Sequence, residues 1–338
     1  MNILSNILSE RQRYTSPSWT IVYEWENIIA KSLNLEVLLE GNLKNRIISK
    51  VARTLNIEDV VCQYSSKGNL ALRFESVTMP HKSIYYNRNN IPVIIDFWLK
   101  DEDIPLFFQI YKNVPLILLT NREVYEKFIK LKCPIPFEHW PLSMPDEYAL
   151  TRDENYKKEI ELALLGRANP FFERMLETYS TRHPDFVYVT NKLINNQRHY
   201  FNNRGDLVAV DAGRDFYINF IRKIKISCYS TPGIDESKTE TKEYNQVTPR
   251  VFEMLCNGCQ VIGHYPYTAD TIWYGLDQIV PNVNSYQEFE QCLDNMRKED
   301  ADLNKIKMFM SQHYTSKRVE MLKDILAKHN ISIVQNTH

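Results

Sequence analysis

The sequence has almost no net charge, few cysteines and no long apolar run, and each shortage excludes a class of protein. Its 338 residues carry a formal net charge of -1, so no basic field points to nucleic acid as a partner. Six cysteines in a chain of this length indicate a reducing compartment rather than a disulfide scaffold. The start of the chain lacks the basic and apolar regions of a signal peptide, and no stretch reaches the roughly 18 apolar residues of a membrane span. We therefore expect a cytoplasmic protein.

What the sequence does contain is enough apolar material for more than one core. Hydrophobic residues make up 43% of the chain and charged residues 25%, which is typical of a globular protein. A chain of 338 residues exceeds the usual size of a single core, so two domains are expected. The segment 135–145 holds Pro136, Pro141 and Pro145. Because proline stiffens the chain and interrupts helices, this segment is the predicted linker.

Apolar strand patterns alternate with helical patterns on both sides of that segment. The strand patterns cover residues 69–77, 91–99, 114–120, 159–166, 185–190, 206–211, 224–231 and 259–262. The helical patterns cover 104–113, 121–132, 167–182, 215–223, the run after Thr248, and 301–330 with a break near His313. Alternation of this kind, twice over, predicts two α/β domains with parallel sheets that face each other.

One stretch, "TPRVFEMLCNGCQVIGHYP" from Thr248 to Pro266, contains residues that are suited to binding a ligand. A helix that begins near Thr248 presents free N–H groups and a positive dipole end, which suit a phosphate. Arg250 stands in its first turn, where a cation is unfavourable unless an anion is near. Glu253 follows one turn later, where an exposed carboxylate could accept two hydrogen bonds from the diol of a ribose. Glu253 could instead simply stabilise the helix.

These residues also carry a resemblance. "RVFEMLCNGCQVIG" (250–263), followed by "DTIWYG" (270–275), resembles the donor-site segment of GT-B glycosyltransferases of the family-one/four-like or CgeB-like kind. "LALLGR" (162–167) resembles the first strand of their second domain, and 301–330 is similar to their closing helix. The resemblance implies two Rossmann-like domains with parallel sheets facing a cleft. It places an acceptor-side domain at 1–143, a nucleotide-sugar domain at 144–310 and a helix that returns to the first domain at 311–338.

The same resemblance implies roles for single residues. Glu253 would hold the donor ribose, while Arg250 and the Thr248 backbone would meet the diphosphate, with Arg167 adding charge. Retaining members carry a second glutamate eight positions before the first, and Asn245 stands there in this chain. Whether the reaction inverts or retains the anomeric configuration is therefore left open.

The implied activity is a glycosyltransferase that moves a sugar from a nucleotide-sugar donor to a glycan or a lipid-linked saccharide. We expect it to serve cell-surface polysaccharide synthesis, without a cofactor and without a metal, because cations and a helix terminus would stabilise the leaving group. Two alternatives stay open: a sugar-nucleotide epimerase of the same fold, and a non-catalytic carbohydrate-binding or assembly protein.

Transfer also requires a base, which the resemblance places in the first domain. Asp96 and Asp101 bracket the end of the strand pattern at 91–99, where active groups collect in open sheets. Asp96 is the first candidate for the base, or else an ordinary strand-end aspartate. His81, after Pro80, is the second candidate, or else a loop histidine.

A basic amphipathic pattern at 43–55 allows one further expectation about location. Its lysines and arginines face away from an apolar side, as in helices that lie against anionic lipid at the inner face of a membrane. The alternative is a surface helix whose apolar side packs on the first sheet.

Overall fold

The computed structural model describes residues 2–39, 51, 54, 69–77, 89–151, 156–167, 169–195, 197–234 and 244–334. Within these ranges no helix is long and apolar enough to cross a membrane. His81 and the predicted basic helix, apart from its residues 51 and 54, lie outside the described ranges. The chain divides into two compact units, Met1–Pro145 with Thr315–His338, and Asp146–Tyr314.

Strands and helices are numbered here in chain order. The strands are β1 (Asn2–Ser9), β2 (Glu36–Leu39), β3 (Leu70–Val77), β4 (Asn90–Phe97), β5 (Ile117–Leu119), β6 (Phe137–His139), β7 (Ile160–Leu164), β8 (Tyr188–Ile194), β9 (Gln197–Asn202), β10 (Leu207–Val210), β11 (Ile224–Ser230), β12 (Gln260–His264) and β13 (Ile331–Ile333). The helices are α1 (Thr20–Leu33), α2 (Ile104–Tyr111), α3 (Arg122–Lys130), α4 (Pro170–Arg182), α5 (Arg214–Arg222), α6 (Pro249–Cys256), α7 (Ala269–Tyr274), α8 (Tyr286–Lys298), α9 (Leu303–Met310) and α10 (Thr315–Lys328).

The first unit is built on a parallel sheet. Its described strands lie in the order β13-β1-β3-β4-β5-β6, with β2 also paired to β1, and every pair is parallel. The central strands β3 and β4 are buried along almost their whole length. Burial on both faces is what a parallel sheet with covering helices requires, and it explains why the two strands read as continuous apolar runs.

The second unit is built on a mixed sheet in the order β10-β9-β8-β7-β11-β12. The strands β8, β7, β11 and β12 pair in parallel, as the sequence predicts. The strand β9 runs antiparallel to both β8 and β10, an arrangement that the sequence patterns did not predict. These three strands form a meander, so the sheet is not parallel throughout.

The proline-rich segment 135–145 was predicted as a linker, and this prediction was wrong for most of its length. Residues Phe137–His139 form β6, which pairs with β5 as the last strand of the first sheet. Trp140, Leu142 and Met144 are buried in the same unit. Prolines are compatible with this position because an edge strand leaves some N–H groups without a ladder partner.

The predicted closing helix breaks where the sequence indicated. The helices α9 and α10 are separated by residues 311–314, and α10 belongs to the first unit. The Trp140 indole donates to the Arg318 carbonyl at 2.8 Å, and Arg318 donates to the Pro141 carbonyl at 3.0 Å. These bonds tie the end of the chain to the segment that follows β6.

Candidate functional site

The carboxyl ends of β7, β11 and β12 meet at one edge of the second sheet, because these strands pair in parallel. The helix α6 begins in the connection between β11 and β12, so its first turn lies at this edge. In open α/β sheets ligands bind at the carboxyl ends of the strands. This edge is therefore the candidate functional site of the second unit.

Arg250 lies against the backbone of Gly166, just beyond the end of β7. Gly166 has a φ of +102°, and a Cβ atom at this position would fall 2.2 Å from the Arg250 Cζ atom. The Nη1 group of Arg250 donates to the Leu165 carbonyl at 3.2 Å. The guanidinium group therefore occupies the space where any other residue at position 166 would carry its side chain.

The loop that carries Gly166 is also held from β8. The Asn191 Oδ1 atom accepts from the Gly166 N–H at 2.5 Å, and its Nδ2 group donates to the Gly166 carbonyl at 3.0 Å. Nothing in the sequence patterns singled out Asn191, because its partner Gly166 lies 25 residues earlier in the chain, in the loop after β7.

The helix α4 begins after this loop as its sequence predicts, with Pro170 in its first turn. Asn169 caps it by accepting from the Phe172 N–H at 3.2 Å. The Asn169 Nδ2 group also donates to the Ser230 hydroxyl at 2.5 Å. The cap thereby connects the end of β11 to the loop after β7.

Asn245 lies in the connection that follows β11. Its Oδ1 atom accepts from the Thr231 hydroxyl at 2.7 Å, and a Cβ atom at Gly233 would fall 2.8 Å from its side-chain atoms. This predicted site residue therefore lies at the same edge of the sheet. Its amide shapes the connection that leads into α6.

The two backbone N–H groups that immediately precede α6 already have partners. The Thr248 N–H donates to the Tyr229 hydroxyl at 2.9 Å, and the preceding Val247 N–H donates to the Asp270 carboxylate at 2.6 Å. The contact between the Thr248 backbone and a diphosphate stays a prediction, and a diphosphate would have to compete with the Tyr229 hydroxyl for the Thr248 N–H.

Glu253 was expected to be an exposed carboxylate, and this expectation was wrong, since Glu253 is only 7% exposed. It forms an ion pair with Arg214 at the start of α5. The Tyr217 hydroxyl lies 3.5 Å from its Oε2 atom. Burial, and then the neighbouring Glu253 charge, raise the pKa of Tyr217, so this hydroxyl stays protonated and can donate. The Arg214 guanidinium also lies 5.2 Å from the Tyr148 ring centre.

Arg167 follows Gly166 directly and is half-buried. Its positive charge acts on the Tyr229 hydroxyl, whose pKa is nevertheless raised by burial. The same hydroxyl accepts from the Thr248 N–H at the start of α6. Tyr229 and Thr248 are therefore in contact, and the role of Arg167 beside a phosphate stays a prediction.

The chain contains two Asp-x-Asp triplets, at 101–103 and 300–302, so the sequence itself does not exclude a bound metal ion. Asp101 is ion-paired with Lys127, and Asp302 caps α9 by accepting from the Lys305 N–H. Across the described ranges no group of three or more histidine, cysteine or acidic side chains is arranged to hold a metal ion.

Asp96, the first candidate for the base, lies at the end of β4 in the first unit. It is half-buried and accepts from the Ser76 hydroxyl at 3.2 Å. Asp101 lies beyond it on the surface. The second candidate, His81, is outside the described residues.

Comparison with known proteins assigns the fold. The chain matches no protein-family model and no curated protein. Among solved structures, a protein assigned as a UDP-N-acetylglucosamine 2-epimerase from Listeria monocytogenes is 9% identical, with a TM-score of 0.51 over 98% of this chain and 97% of that one. This likeness and the two sheets identify the GT-B fold.

Two further solved structures are similar at lower TM-scores. Sucrose-phosphate synthase from Thermosynechococcus elongatus is 6% identical, with a TM-score of 0.49 over 97% of this chain and 99% of that one. The pneumococcal O-GlcNAc transferase GtfA, solved with UDP and GlcNAc, is 11% identical, with a TM-score of 0.47 over 91% of this chain. The chain spans 60% of the GtfA chain.

Replacement of Gly166 by alanine tests the contact between Arg250 and the loop. We expect Gly166→Ala to lower the free energy of unfolding by about 1–3 kcal/mol, because a side chain at this φ is strained, and to displace the Arg250 guanidinium as well. Gly205→Ala is the control, since Gly205 has a similar φ of +92° with nothing within 4 Å of the added Cβ. Urea unfolding and a crystal structure of each variant measure the two effects. An unmoved Arg250 in Gly166→Ala would contradict the close contact.

Proposed function

We propose that this chain is a glycosyltransferase that moves a sugar from a nucleotide-sugar donor to a glycan or a lipid-linked saccharide, in the synthesis of a cell-surface polysaccharide. The donor would bind in the second unit, at the carboxyl edge of its sheet. The GT-B fold supports this proposal but does not determine the reaction, because one fold hosts many activities.

The observation that carries the proposal is the spacing of Arg250 and Glu253 at this edge. Arg250 offers a cation beside the loop after β7, and Glu253 offers a carboxylate one turn further along α6. A nucleoside diphosphate presents the matching groups, an anionic diphosphate joined to a ribose with two neighbouring hydroxyls. Guanidinium groups pair with phosphate oxygens, and carboxylates accept from hydroxyls.

The remaining predicted residues take their roles from this arrangement. Arg167 would add positive charge next to the diphosphate as it leaves, and charge placed in advance is an effective way to stabilise a transition state. Thr248 and Asn245 would shape the entrance to α6. No metal would be needed if the two arginines neutralise the leaving group.

Glu253 retains the capacity for a ribose although it is already paired. One of its oxygens faces Arg214 and the other faces the Tyr217 hydroxyl at 3.5 Å, which is too long for a strong hydrogen bond. A carboxylate has about four lone-pair positions. A ribose hydroxyl could therefore bind to Glu253 without breaking its ion pair with Arg214.

A second candidate function is a sugar-nucleotide epimerase, favoured by the name of the Listeria protein with the same fold. The two activities differ in their products. A transferase releases a nucleoside diphosphate from the donor, whereas an epimerase returns an isomeric sugar nucleotide. A non-catalytic carbohydrate-binding or assembly protein would do neither.

The first test is nucleotide binding in the absence of metal. Calorimetry with UDP, GDP, ADP, CDP and dTDP in EDTA should show binding of at least one of the five. Arg250→Gln should weaken it by about 10- to 150-fold, because charge-assisted hydrogen bonds contribute about 1.5–3 kcal/mol. Arg204→Gln, at an exposed turn of the same unit, should bind as the wild type does. Binding that disappears when EDTA is added would disprove the metal-free mechanism.

The second test separates a ribose-binding role of Glu253 from a purely structural one. Glu253→Gln and Arg214→Gln each remove one partner of a largely buried ion pair, and each should destabilise the fold by about 3 kcal/mol. The double variant Glu253→Gln/Arg214→Gln should be less destabilised than the sum of the two single variants.

Affinity for the nucleotide then decides the role of Glu253. If Glu253 binds the ribose, the affinity should fall by about tenfold or more in Glu253→Gln and should stay low in the double variant. Wild-type affinity in the folded double variant would mean that Glu253 serves only as the partner of Arg214.

The third test concerns the base. Asp96→Asn should reduce nucleoside diphosphate release from the bound donor by about 100-fold or more, which is the usual contribution of general base catalysis, with donor affinity little changed. Asp324→Asn, at an exposed position of α10 in the same unit, is the control. Near-normal turnover in Asp96→Asn would transfer the role to His81, which His81→Ala tests in the same assay.

A further inference from the structure

The side chain of Asn191 binds both polar backbone groups of Gly166. Its Oδ1 atom accepts from the N–H at 2.5 Å, and its Nδ2 group donates to the carbonyl at 3.0 Å. Asn191 belongs to β8, whereas Gly166 lies in the loop after β7. A single carboxamide therefore fixes the position of this loop from the neighbouring strand.

The other contact of Gly166 is with Arg250. The guanidinium group lies where a Cβ atom of residue 166 would be, and its Nη1 group donates to the Leu165 carbonyl at 3.2 Å. Gly166 thus connects Asn191 and Arg250. If the loop shifted, the carbonyl and the surface on which Arg250 rests would shift with it.

We propose that Asn191 is a positioning residue for the donor diphosphate, acting on Arg250 through Gly166. This inference rests on the proposed function, because it assumes that Arg250 binds a diphosphate. An arginine with many rotamers loses conformational entropy when a ligand fixes it. An arginine that is already held in place loses less, so its contribution to affinity is larger.

The chain offers a matched control for this inference. Asn203 also makes two hydrogen bonds to the backbone, accepting from the Tyr188 N–H at 3.3 Å and donating to the Phe186 carbonyl at 3.2 Å. Tyr188 is the first residue of β8 and Asn191 is the fourth, so Asn203 acts on a different part of that strand. If the Asn191 variant loses nucleotide affinity and the Asn203 variant does not, the loss is not a general effect of removing an asparagine that binds the backbone.

The experiment measures by calorimetry the affinity for whichever of UDP, GDP, ADP, CDP and dTDP binds most tightly to the wild type. Asn191→Ala should weaken binding by roughly 3- to 30-fold, and Asn203→Ala should change it by less than about twofold. The double variant Asn191→Ala/Arg250→Gln should bind no more weakly than Arg250→Gln alone, because both changes remove the same contact. Asn191→Ser replaces the alanine variant if that variant does not fold.

Each outcome separates this inference from the function on which it rests. Wild-type affinity in Asn191→Ala, or losses that add in the double variant, would overturn the role of Asn191 and leave the proposed function intact. Wild-type affinity in Arg250→Gln would overturn the role of Arg250 and the inference together. If the wild type binds none of the five nucleotides, the role of Arg250 and the inference are likewise both overturned.

Discussion

The contact of Arg250 with the bare backbone of Gly166 is the constraint around which the candidate donor site is arranged. A side chain at position 166 would have to adopt a φ of +102° and would also collide with the guanidinium group. Glycine removes both difficulties, so the charged group can lie directly on the peptide. The loop after β7, the first turn of α6 and the clamp from β8 all meet at this point.

Much of the fold could be predicted because its signals are local. The buried runs of β3, β4 and β7 and the helices between them follow from hydrophobic periodicity. The helical pattern from residue 121 does mark the start of α3, where the Asn121 side chain accepts from the Glu123 and Val124 N–H groups. The break between α9 and α10 was also visible as a change of pattern near His313. Each of these signals depends on residues within about one or two turns of the feature that they predict.

The remaining features of the fold and of the candidate site could not be predicted, because they depend on residues that are distant in sequence. Glu253 is buried because Arg214, 39 residues earlier in the chain, forms an ion pair with it. The Thr248 N–H is occupied because the Tyr229 hydroxyl reaches it from β11. The segment with Pro136 and Pro141 reads locally as a linker, yet tertiary packing makes it an edge strand. The strand β9 was not predicted, because its polar residues do not alternate with apolar ones.

The burial of Glu253 and Arg214 bears on what this pair is for. Two charges removed from water lose hydration that their mutual attraction only partly replaces, so a buried ion pair is weak evidence for a role in stability. Well-packed apolar residues would often stabilise the same position equally well. A carboxylate that is paired with a guanidinium group is, however, already oriented before a ligand arrives. Such an arrangement is compatible with recognition of a hydroxyl group, which is the role that we propose for Glu253 toward a ribose.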